Sequence, residues 1–173
     1  RSFARAAELD PELAMAYCNL SHLAAACEDA EETRSWATKA VNVADEIGDD
    51  EARVYAALNL GSIELLAGDP AGPVRIERAL HTARELGLEE HAGRAYVALT
   101  WWSPRGRAYR AADGRLDAGL RYCRERGLDL WRSYLIAAGA RADLDRGHWD
   151  DAVASATRIV RDPRTSPLPR IVA

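Results

Sequence analysis

Lysine is almost missing from this 173-residue chain: of 23 basic residues, only Lys39 is not an arginine. A phosphate-cradling loop of the Gly-x-x-x-x-Gly-Lys kind needs that lysine, and Ser35-Trp36-Ala37-Thr38-Lys39-Ala40 holds no such loop. The chain is therefore not itself a P-loop ATPase. Cysteine is as sparse: Cys18, Cys27 and Cys123 are an odd set without metal-type spacing, which argues against a disulfide framework and for a reduced, cytoplasmic setting. A basic excess is also lacking, since the net charge is -4, which argues against direct nucleic-acid binding by this chain, where a basic surplus usually displaces phosphate counterions. No apolar run is long enough for a membrane span; the stretch from Leu13 to Cys27 is short and contains Asn19 and His22. No signal peptide is recognisable. Strand-favouring aromatic and β-branched residues are scarce as well.

What the chain does have is alanine, which makes up about a fifth of it, within a composition that is 48% hydrophobic and 29% charged. That is one domain of all-α sequence, read here as spanning 1–173. Arg1 stands where a methionine is usual, and Ile171-Val172-Ala173 is apolar without a polar ending, so both ends look cut from a longer protein. Exposed apolar residues at the ends, among them Ile159, Val160, Leu168, Ile171 and Val172, predict self-association through an end repeat.

Repetition organises the pattern. Asp45-Glu46-Ile47-Gly48, Arg84-Glu85-Leu86-Gly87 and Arg124-Glu125-Arg126-Gly127 place helix-ending glycines 39 and 40 residues apart. Each is predicted to adopt the left-handed conformation that a side chain penalises. Small residues precede them at one-turn intervals, Ala40 with Ala44, Ala79 with Ala83 and Gly119 with Cys123, which allows close helix approach. An Arg-x-Tyr recurs at Arg53-Val54-Tyr55, Arg94-Ala95-Tyr96 and Arg132-Ser133-Tyr134, and Asn19-Leu20-Ser21 matches Asn59-Leu60-Gly61. Helix pairs follow, with first helices at 11–27, 50–67, 89–103 and 129–146 and second helices at 30–47, 72–86, 110–126 and 149–161. Ser103-Pro104-Arg105-Gly106 predicts an early break, and Asp162-Pro163 ends the last pair before a new start near Pro167. The repeats are 11–48, 49–87, 88–127, 128–163 and the start of another at 164–173. A single pair cannot bury its apolar face, so pairs are expected to stack into a solenoid.

Ala6-Ala7-Glu8-Leu9-Asp10-Pro11 with Ala16-Tyr17-Cys18-Asn19-Leu20-Ser21 resembles a junction between tetratricopeptide repeats, and Leu58-Asn59-Leu60-Gly61 with Gly68-Asp69 resembles the body of one. Gly147-His148-Trp149-Asp150-Asp151-Ala152 resembles the family's inter-helix turn. The departure is a period close to 40 instead of 34, which implies longer helices. This longer, Ala/Arg/Leu-rich variety is similar to the repeat region of large ATP-binding bacterial transcriptional regulators of the LuxR type, the maltose-activator-like group. The resemblance implies a right-handed superhelix whose concave groove takes a small inducer or a partner protein, with nucleotide-binding and DNA-binding parts elsewhere in the parent. The alternative is a general protein-scaffolding repeat domain.

Chemistry is thin by comparison. Cys18 and His22 share a helical face but have no third ligand nearby, so no metal is expected, and no cofactor is implied. His91 and His148 sit beside carboxylates at helix starts, where capping explains them. No residue set supports an enzyme. The candidate groove residues are Tyr55, Tyr96, Trp102, Tyr134 and Arg141. In the tetratricopeptide register the tyrosines fall on the groove side of the first helices, while longer helices can rotate them into the core instead. Trp101-Trp102 cannot share one face, so one is expected inside and the other partly exposed. Arg53, Arg94 and Arg132 are read as surface ion-pair partners of Glu51, Glu90 and Asp129.

Overall fold

Aspartates set where several helices begin. Asp29 Oδ1 accepts from the Glu32 N–H at 2.9 Å, Asp49 Oδ1 from Ala52 at 3.0 Å, and Asp69 Oδ1 from Ala71 at 2.8 Å, each satisfying a donor that the helix start leaves open. In the computed structural model, which describes residues 11–101 and 109–172, nine helices result among the described residues. They are α1 Pro11–Ala26, α2 Ala30–Ile47, α3 Asp50–Leu66, α4 Ala71–Glu85, α5 Glu89–Trp101, α6 Tyr109–Arg126, α7 Asp129–Arg146, α8 Trp149–Arg161 and the short α9 Pro167–Val172. The described residues contain no strand. Asp162-Pro163 does end a helix and Pro167 does begin one. The break expected from Ser103 to Gly106 and the helix tail expected from Ser2 to Leu9 lie outside the described residues.

Helix ends close in one repeated way. The N–H groups of Asp29, Asp49, Asp69, Leu88, Leu128 and His148 each donate to the carbonyl five residues earlier, at 2.8 to 2.9 Å. This bond requires a left-handed residue just before the donor. Gly48, Gly87 and Gly127 supply it with φ of 75°, 70° and 67°, as their spacing predicts. After α1 the position is held by Glu28, the one non-glycine with positive φ among the described residues (60°). Gly87→Ala is expected to cost about 1 kcal/mol and Glu28→Gly to gain about as much, because open space around Gly87 leaves only backbone strain. Chemical denaturation of the two variants reads both signs.

The chain forms two compact units, Arg1–His91 and Ala92–Ala173, with the boundary inside α5. In the first unit, α1 and α2 form one hairpin and α3 and α4 another, and α3 also packs on α1 and α2. The core here is largely alanine: Ala14, Ala37, Ala40, Ala44, Ala52 and Ala56 are fully buried around Cys18 and Tyr55. Ala40 and Ala44 are two of the small residues whose spacing predicts close approach. α3 and α4 approach closely where Gly61 faces Gly72 and Ile76. Arg75 and Glu64 clamp the same hairpin through two hydrogen bonds of 2.8 and 2.9 Å. That carboxylate holds the Arg75 guanidinium above its ordinary value.

In the second unit, α7 pairs with α8 and touches α6, while α9 lies against α7 and α8. Leu135 is fully buried, and Gly119 of α6 admits the Tyr96 ring, whose Cβ stands 2.9 Å from where a glycine Cβ would be. One face of α8 carries Trp149, Ala152, Val153, Ala156, Ile159 and Val160. Only Ala152 and Ile159 are buried, and Trp149 and Val153 are 69% and 64% exposed. Leu168 and Ile171 of α9 are exposed too.

Candidate functional site

A polar and aromatic row runs along the first helices of the first unit. Residues one period apart meet there because α1 and α3 lie side by side. Asn59 Nδ2 donates to the Cys18 carbonyl at 3.0 Å, and the Tyr55 hydroxyl donates to Asn19 Oδ1 at 3.3 Å. The Tyr55 ring has two imidazole neighbours, His91 at 5.1 Å and exposed His22 at 6.0 Å between centroids. His91 is itself buried, and its Nε2 meets Glu51 Oε1 at 3.0 Å. A helix-start position alone does not account for that imidazole: it ties the chain at His91, the last residue of the first unit, to α3.

In the second unit, Tyr96 packs on Tyr122 at 5.5 Å, and the Arg126 guanidinium covers Tyr122 at 4.0 Å. Trp131 lies against Tyr134 at 5.8 Å, with the Arg94 guanidinium 5.1 Å from the Trp131 ring. Such cation–aromatic stacks orient the arginines, and the Nε of Arg94 is buried beside its ring.

The five candidate groove residues are thus placed as follows. Tyr55 and Tyr96 are only 4% and 7% exposed, so of the two orientations open to them they take the inward one. The reason is local: His91 and Asn19 enclose Tyr55, and the missing side chain of Gly119 makes room for Tyr96. Tyr134 and Arg141 of α7 are half-buried, seven residues apart on one helical face. Trp102 lies outside the described residues, and its neighbour Trp101 is half-buried. Tyr96 and Tyr134 are not in ring contact; each has its own aromatic neighbour.

Of the ion pairs expected at the Arg-x-Tyr arginines, Arg132 does meet Asp129 at 3.5 Å. Arg53 instead bridges Asp45 at 2.6 Å and Asp50, and donates to the Ala44 carbonyl, which caps the end of α2. The Asp45 hydrogen bond raises the Arg53 pKa above its ordinary value.

Sequence reading missed an open groove of about 510 Å³ between α3 and α4. Val54, Ala57, Val74 and Ala79 give it an apolar floor, with Arg53, Arg75 and Arg78 around it. The available signal was the one-face spacing of 50, 53, 54 and 57 on α3 against 71, 74, 75, 78 and 82 on α4. No three His, Cys, Asp or Glu side chains cluster to hold a metal among the described residues. No described helix is long and apolar enough to cross a membrane. Compared with known proteins, the chain matches no family model, no curated protein and no solved structure.

Proposed function

We propose that this chain is a non-catalytic sensor and protein-interaction module, part of the repeat region of a LuxR-type bacterial transcriptional regulator, built as a tetratricopeptide-like superhelix. The observation that carries the reading is the repeated closure of helix ends, with left-handed glycines 39 and 40 residues apart and a helix hairpin on either side. Repeated hairpins of this kind make extended surfaces and supply no reaction centre of their own. An inducer or partner protein binds along the first helices, with half-buried Tyr134 and Arg141 of the second unit as accessible contacts; Tyr55 of the first unit and Tyr96 of the second are each buried within their own unit. Trp102, outside the described residues, is assigned to this surface by its sequence position alone.

The complete reading frame is the first test. A Gly-x-x-x-x-Gly-Lys domain upstream and a helix-turn-helix downstream support the regulator; further helix pairs closed by a polar end, with neither domain, replace it by the scaffold reading. In the intact protein, Tyr134→Ala and Arg141→Glu are expected to weaken inducer or partner binding about tenfold, a loss near 1.4 kcal/mol, with helicity unchanged by circular dichroism. Unchanged affinity in both variants refutes the groove.

The open stripe of α8 supports a companion proposal, that a second copy seats on Trp149, Val153 and Val160. Sedimentation velocity is expected to show a concentration-dependent dimer that Val153→Asp abolishes.

A further inference from the structure

We infer that the second unit holds a binding site for a small oxyanion, a phosphate or a short carboxylate, where the first turn of α7 meets the end of α8 and the turn that follows it. The site shares no residue with the proposed groove and does not depend on the regulator reading.

The turn builds the site. Asp162-Pro163 stops α8, the Thr165 N–H donates to the Asp162 carbonyl at 3.1 Å, and the Arg164 N–H donates to Asp162 Oδ1 at 2.9 Å. That folding back brings Arg164, Thr165 and Ser166 to face Arg132 and Ser133 of α7 and Arg158 of α8 around a pocket of about 230 Å³. Pockets for drug-sized ligands start at roughly 300 Å³, so this one suits a small ion or a short acid.

Charge accounting leaves one cation over. Two carboxylates also line the pocket, and each is matched: Arg164 grips Asp162 with two bonds of 3.1 Å, and Arg132 lies 3.5 Å from Asp129. The bond from Arg164 holds the Asp162 carboxyl below its ordinary range, so that pair stays fully ionised and self-neutral at physiological pH. Arg158 has no carboxylate within ion-pair reach among the described residues, and a planar guanidinium is suited to two-point recognition of an oxyanion.

Two further features fit the same ligand. Ser166 Oγ is buried without a hydrogen-bond partner, and native structures rarely leave a hydroxyl in that state. The first turn of α7 lines the pocket, and unlike α2 and α3 this helix has no side-chain cap, since Leu128 stands where Asp29 and Asp49 stand before the others. Its open N–H groups and dipole favour an anion.

The test is a titration of the isotope-labelled 173-residue chain with inorganic phosphate and, separately, with acetate, each at constant ionic strength against chloride. Saturable NMR shifts are expected in the amides of 129–133 and 158–166, with a dissociation constant of about 1 mM or tighter. Saturation by phosphate alone assigns a tetrahedral oxyanion, and by acetate alone a carboxylate; saturation by both assigns a general oxyanion site. Arg158→Ala is expected to weaken binding at least about tenfold, and Ser166→Ala to weaken it less. Arg158→Gln keeps the side-chain stem and stands in if the alanine variant is misfolded by circular dichroism. Arg78→Ala, on the first unit, is expected to bind like the parent. Absence of saturation with both anions, parental affinity in a folded Arg158 variant, or equal weakening by Arg78→Ala overturns the inference.

Discussion

Gly72→Ala is expected to destabilise the protein by about 3 kcal/mol or more, lowering Tm by roughly 6 to 12 °C in calorimetry. A Cβ there falls against the Leu65 N, 2.8 Å from the Gly61 carbonyl oxygen and 2.8 Å from the Leu65 Cα. All three are backbone atoms of α3, and none can rotate away. The hairpin must open for the methyl group to enter, and the Arg75–Glu64 clamp loosens with it. Gly114→Ala in α6 is the control of opposite sign. Nothing lies within 4 Å of its added Cβ, so helix propensity alone acts and the variant is expected to gain about 0.5 to 1 kcal/mol.

Ile76→Ala is the second large effect, expected to cost about 3 kcal/mol because the side chain is fully buried and its neighbours cannot close the cavity completely. This position is also coupled to Gly61. A Cβ on Gly61 falls 2.6 Å from Ile76 Cγ1 but 3.1 Å from the Gly72 carbonyl oxygen and 3.3 Å from the Ile76 N. Removing the isoleucine side chain removes the worst of the three contacts. Gly61→Ala alone is expected to destabilise, while in the Ile76→Ala background it fills part of the cavity. A double-mutant cycle by denaturant titration is expected to give a favourable coupling of about 1 kcal/mol or more. Simple additivity of the two costs refutes the packing described for α3 and α4.

Helices and their ends were legible in the chain because their signals are local. An apolar period of 3.6, a Gly at 48, 87 and 127, and a proline at 163 act over a few residues, and the observed boundaries fall within two residues of the expected ones wherever both are described. Glu28 shows the limit of such signals. The hydrogen bond closing α1 demands the same left-handed residue that ends α2, α3, α4, α6 and α7, and the sequence there carries no glycine to announce it. Side-chain orientation was less legible. Tyr55 and Tyr96 occupy corresponding positions, and sequence leaves both the groove and the core open to them. What decides is the residue across the interface, Gly119 under Tyr96 and His91 against Tyr55. The Glu51–His91 bond did have a signal, since the two positions are 40 residues apart, one repeat period. Pairing Arg53 with Glu51 failed because residues two apart on a helix point to different sides; Asp50, three before it, and Asp45, across the turn, are within reach.

Alanine has no side-chain torsion to set, so the interface of Ala37, Ala40 and Ala44 with Ala52 and Ala56 has no alternative rotamer to adopt. A core of leucines could absorb a push at one end by repacking. This one has no torsion to reset among its alanines, and a displacement of α2 is expected to reach α3 as a small slide of one rod along another. Within the first unit, a push on one helix is therefore expected to travel as movement of whole helices, with the partly buried Met15, Val41, Val43, Ile47 and Leu60 around the alanines left to repack.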